Sequence, residues 1–242
     1  MKQSAALVSA VLILGVAASP AALASDAPPV LPSIDILYPP GGSLLDRLCT
    51  SDFKLKLDEK DVQAAVAQRA VLQKQWDAEG PAYLEAALTG IGLPFPYKEM
   101  QATLSVCLPA STSIPLIIDV RPFLPGAKAA APAWEFTEVV FHELMHSYVR
   151  PVLSRSELLK KYANEPPTVK YHLHVMAMEK MVLLKLGRPD DLKTLDHDYR
   201  NGPDPAYKRA WEIVNDQEGY EPFIGELKAV AAATRAPPAS TR

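Results

Sequence analysis

His142-Glu143-Leu144-Met145-His146 combines residue types and a spacing that could do metal chemistry. On an α-helix, residues i and i+4 project from one face a turn apart, so two imidazoles can converge on a single cation. Glu143 lies about 100° round the helix from His142. It cannot easily join the same coordination plane, but it can reach a water held by the ion and act there as general base. With 5 His in 242 residues, chance produces this pattern roughly 0.006 times in such a chain, so coincidence is a poor explanation. The neighbours Val139, Val140, Phe141, Leu144, Met145 and Val149 are apolar, and the helix that carries the histidines is expected to be buried.

With these residues the chain resembles the zincin metallopeptidases, whose signature is His-Glu-x-x-His flanked by uncharged residues. The resemblance covers this helix and the strand-rich segment before it. It implies that His142 and His146 bind zinc, that Glu143 activates the attacking water, and that a third protein ligand completes the site. The metzincin extension puts Gly at position 149 and His at position 152. This chain has Val149 and Val152, which removes that subclass.

A catalytic zinc takes three protein ligands and keeps one open position. The gluzincin pattern supplies a Glu from a later helix, which points to Glu179. That residue sits among Val175, Met176, Ala177, Met178, Met181 and Val182, and a carboxylate in such surroundings needs a strong partner. Glu157 and Glu165 lie in more polar segments. His172 shares a face of the same helix with Glu179, about 10 Å away along the axis, so both cannot easily ligate one ion. With Glu179 as ligand, His172 is placed to contact substrate or the developing oxyanion, as a histidine does in thermolysin-like enzymes. With His172 as ligand, the site is a three-histidine one and Glu179 is a brace. Tyr148 and Tyr171 are the other oxyanion candidates, and His174 points to a different face. Gluzincins often carry Asp four residues after the glutamate; position 183 here is Leu.

Several elements must position these groups. Helices are expected over Glu59–Asp77 and Ala82–Leu88, separated at Gly80-Pro81, and then over Ala133–Val149, Val169–Leu186, Ala206–Asn215 and Glu221–Thr234. Met100–Cys107 and Ile114–Val120 read as strands, with Pro115 marking an edge. The second strand is a candidate to run along the cleft and pair with an extended substrate. This order gives an α+β fold: a helix-rich, zincin-like domain with a small sheet preceding the motif helix. The domain is expected over residues 59–234, behind an extended arm at 25–58 and ahead of a fraying tail at 235–242.

Composition sets the remaining bounds. The chain is 48% apolar and 22% charged, with 23 prolines, 11 glycines and net charge −3. That excludes a disordered or fibrous chain and gives no basic field for nucleic acid. Residues 1–24 read as a cleaved signal peptide: Lys2, then the apolar run Ala5–Val16, then Ala22-Leu23-Ala24. That run is too short to span a bilayer, so no membrane span is expected after cleavage, and the periplasm or the medium is the destination. In an oxidising compartment Cys49 and Cys107 can pair as a disulfide. The expectation is an exported zinc metallopeptidase acting on peptides or proteins. The alternative is a non-catalytic periplasmic protein with a structural or lost zinc site.

Overall fold

The structure is a computed structural model that describes residues 28–40, 42–51, 57–108, 110–127 and 131–235. The expected leader lies outside the described residues, as does the tail from residue 236. The described chain is helix-rich with one small mixed sheet, and all four strands precede the motif helix.

The strands are β1 (Ser33–Leu37), β2 (Glu99–Ser105), β3 (Thr112–Ser113) and β4 (Leu116–Asp119), in the order β1-β2-β4-β3. β1 and β4 flank β2 in parallel, with Ile36 opposite Ala102 and Leu104 opposite Ile118. β3 closes the sheet antiparallel to β4, with Ser113 opposite Leu116. Pro115 falls in the turn between them, so it is β3, not the predicted strand Ile114–Val120, that forms the edge on this side.

The segment expected as an extended arm is instead built into this assembly. Alternation of buried Ile34 and Ile36 with exposed Ser33 and Asp35 makes β1 a half-buried strand. Its outer edge is occupied by a helix side chain. The Ile36 N–H donates to Gln73 Oε1 at 2.6 Å, and Gln73 Nε2 donates to the Ile34 carbonyl at 3.1 Å. This satisfies backbone groups that an edge strand otherwise exposes. Helix α1 (Leu44–Ser51) follows, opened by a reciprocal cap between Ser43 and Asp46. Buried Asp46 also accepts from the Tyr38 hydroxyl, the Ser105 hydroxyl and the Val106 N–H. The disulfide Cys49–Cys107 ties α1 to the end of β2, consistent with the expected oxidising compartment.

Two helix boundaries differ from the sequence expectation for one reason. Helix α2 runs unbroken from Glu59 to Ile91 through Gly80-Pro81, between a cap at Asp58 and Gly92 at φ +84°. Helix α3 runs from Ala133 to Leu153 through Pro151. Proline removes one hydrogen bond from a helix interior, but packing on both sides holds the course. Around Pro81 the buried residues are Trp76, Gly80, Tyr83 and Leu84; around Pro151 they are Val149 and Val152. A Cβ on Gly80 would stand 2.5 Å from the Trp76 ring, so the glycine admits the indole and does not break the helix.

The remaining helices are α4 (Glu157–Lys161), α5 (Pro167–Lys185), α6 (Pro189–Asn201), α7 (Pro205–Glu212), continued by a π-helical turn at Ile213–Gln217, and α8 (Glu221–Arg235). α6 is absent from the sequence expectation because its residues are mostly polar and it buries only Leu195. α3 packs on α2 and α5, and α6 and α7 close over α5. No helix among the described residues is long and apolar enough to cross a membrane.

Candidate metal centre

The rotation of α3 about its axis is set by Val140, Phe141, Leu144, Met145 and Val149, all fully buried. That of α5 is set by Leu173, Val175, Met176, Ala177 and Val182. With those faces in the core, His142 and His146 of α3 meet His172 of α5. One ring nitrogen of each lies within 4.8 Å of the others. Nε2 of His142 and Nε2 of His146 are 3.2 Å apart, and the His172 ring centre is 5.3 and 4.8 Å from those two rings.

The hydrogen bonds decide which nitrogens are bare. His172 Nδ1 stands 2.6 Å from the Thr168 carbonyl. A carbonyl can only accept, so Nδ1 carries the proton and Nε2 the lone pair. That Nε2 is buried without a partner. His142 Nδ1 is in contact with Glu179 Oε1, and the Tyr199 hydroxyl donates to the same carboxylate at 2.9 and 3.0 Å. Burial pushes the imidazoles down, His142 and His172 to about 4 and His146 to about 2, with the neighbouring rings contributing to the last two. All three are neutral near pH 7, the state in which imidazole binds a metal.

Glu179 therefore stands behind the His142 ring, on Nδ1, and not beside His172. The two residues are far apart on α5, as the sequence indicates, and the His142 ring lies between them. Glu138 of α3 is buried as well, its carboxylate within 4.8 Å of that of Glu179. Burial, then the Glu179 charge, holds Glu138 well above the usual carboxylate range. Glu138, His142 and Glu179 form a second group close enough to hold an ion.

Glu143 faces an open cleft of about 410 Å³, lined also by His146, His172, Tyr171, Tyr207, Arg150 and the β3 residues Thr112 and Ser113. Burial, then the neighbouring Glu138, raises its carboxyl to about 8. Tyr148, a candidate for the oxyanion, is elsewhere. Its hydroxyl donates to the Leu93 carbonyl at 3.0 Å and its ring stacks on Phe95, so it belongs to the core between α3 and α2. His174 also serves packing, its Nε2 2.9 Å from Glu226 Oε2 of α8.

Three residues at the site escape the sequence reading. Tyr207 of α7 packs against His172 with ring centres 4.2 Å apart and against His142 at 5.7 Å. Tyr199 of α6 orients Glu179. Glu138 had a legible signal: Glu138, His142, His146 and Arg150 recur every fourth residue, a continuous strip along α3. The tyrosines have no such signature, because they arrive from elements whose place depends on the fold.

The residues fit a transition metal of zinc type. Three neutral imidazoles converge, His146 and His172 lining an open cleft, and one of their nitrogens is buried with no protein partner. Comparison with known proteins adds no relative: no protein-family model matches the chain, and no curated protein or solved structure aligns with it significantly.

Proposed function

We propose that the chain is an exported zinc-dependent hydrolase of peptide bonds, with His142, His146 and His172 as ligands and Glu143 as general base. One observation carries the reading. The orphaned Nε2 of His172 meets the His142–His146 pair where Glu143 faces the cleft. Three protein ligands leave the open position a catalytic site needs, whereas structural zinc takes four.

Zinc at these ligands supplies Lewis acidity, polarising a carbonyl and making water a better acid. The chain's own groups do the rest. Glu143 takes the proton of the attacking water and hands it to the departing amine. Tyr207, which lines the same cleft and packs on His172, is a phenol able to donate to the developing oxyanion. Glu179, oriented by Tyr199, accepts from His142 Nδ1 and keeps the Nε2 lone pair directed inward. The free edge of β3 runs along the cleft and offers backbone groups to an extended peptide. The Cys49–Cys107 bridge favours the periplasm or the medium as the place of work.

The deciding experiment loads the purified chain with zinc, measures metal per chain, and incubates it with a peptide library read by mass spectrometry. One zinc per chain and chelator-sensitive cleavage are expected. A chain that holds no zinc, or that holds it and cleaves nothing, overturns the reading.

A further inference from the structure

The geometry points to Arg150 as the recognition site for a carboxylate of the substrate, one or two residues from the bond that is cut. The substrate role rests on the hydrolase reading above; the binding site itself does not.

Arg150 continues the strip Glu138-His142-His146 along α3, one turn beyond His146 and so about 6 Å further along the axis. It lines the same cleft as Glu143 and His172. It is exposed, and it has no hydrogen bond or ion pair among the described residues. Arg121, Arg188, Arg200 and Arg209 are engaged, with Asp119, Asp191, Asp216 and Glu165 respectively; Arg155 is exposed and unpaired among the described residues as well but does not line the cleft. Arg150 is also the one cation among the described residues lining the cleft.

The surroundings select the anion. Two large apolar side chains flank the cleft in the open, Ile114 at 58% and Tyr171 at 56% exposure. The β3 edge offers backbone pairing beside them. These suit a peptide with an apolar side chain. A single guanidinium matches a single carboxylate, which it can take with two parallel hydrogen bonds. A dianionic phosphate would meet only one cation in this cleft. An extended peptide advances about 3.3 Å per residue, so a carboxylate held at Arg150 lies one or two residues from a carbonyl at the histidines. It is either the chain's own C-terminus or the side chain of an acidic residue.

Binding is measured by NMR titration on the zinc-free full-length chain, where no turnover occurs and no metal can capture the carboxylate. The probes are acetyl-Ala-Ala-Phe-Ala as free acid, the same peptide as C-terminal amide, and an amide with Glu in the last place. One of the two anionic peptides is expected to bind at least tenfold tighter than the neutral amide. Which one wins identifies the source of the carboxylate. R150Q should erase that preference and R150K should keep part of it, since lysine cannot make the paired contact. Equal binding of all three peptides, no binding, or a preference that survives in R150Q overturns the proposal. If the preference holds but the zinc-loaded chain cleaves nothing, the hydrolase reading falls and the Arg150 site stands.

Discussion

His172 and Glu179 lie on one helix and meet one ring from two directions. Glu179 holds His142 at Nδ1, while His172 brings its bare Nε2 to the pair formed by His142 and His146. They therefore have different jobs, and their variants should fail differently. His172→Ala should lose stoichiometric zinc, because two histidines make an incomplete site. Glu179→Gln should keep zinc with affinity weakened 10–100-fold, the usual effect of losing a carboxylate behind a ligating histidine. Chelator competition reads both. If Glu179→Gln loses the metal outright and His172→Ala retains it, the ligand is the glutamate.

Glu143 should separate metal binding from turnover. Glu143→Gln preserves shape and leaves the three histidines untouched, so zinc content should match the parent. Removing the basic oxygen should lower kcat by 10²–10⁴-fold. Full activity in this variant would end the catalytic reading and return the site to a structural role.

The division between what was legible and what was not follows from how each feature is encoded. The motif, the buried helix that carries it, the strands β2 and β4 and the cysteine pair all lie in local patterns: a four-residue spacing, runs of β-branched residues, and two thiols in one chain. The choice between Glu179 and His172 does not. Both sit on the correct face of α5, and only the approach of α3 decides which meets Nδ1 and which meets Nε2. The run through Pro81 and Pro151 was hidden for a similar reason, since local signals mark proline as a stop while the packing of Trp76 or Val152 is tertiary. Tyr199 and Tyr207 depend on where α6 and α7 fold back.

Tyr207 offers a test of transition-state stabilisation. Its ring packs on His172, so Tyr207→Phe keeps the packing and deletes only the hydroxyl. An interaction that strengthens as the oxyanion develops lowers kcat and leaves KM nearly unchanged. Removal of one such donor typically costs 10²–10³-fold. A rise in KM at constant kcat would instead make Tyr207 a substrate contact.

Away from the centre, Glu226 gives a prediction about stability and acid. This residue of α8 joins three elements. Its carboxylate accepts from the Ser156 hydroxyl at 2.5 Å, from the Leu158 N–H at 2.9 Å and from His174 Nε2 at 2.9 Å. Burial alone would raise its pKa, but these bonds outweigh burial and hold the carboxyl at about 2. A pKa lowered on folding means that the stabilisation is fully present above the unfolded value near 4.5 and disappears as pH falls through about 2. Glu226→Gln should destabilise the chain at neutral pH by about 1–2 kcal/mol, modest because the side chain is partly exposed. The gap in Tm between parent and variant should stay constant above pH 5 and narrow progressively between pH 4.5 and 2. A gap that is unchanged at pH 2.5, or absent at pH 7, would show that the charge on Glu226 does not tie α8 to α4 and α5.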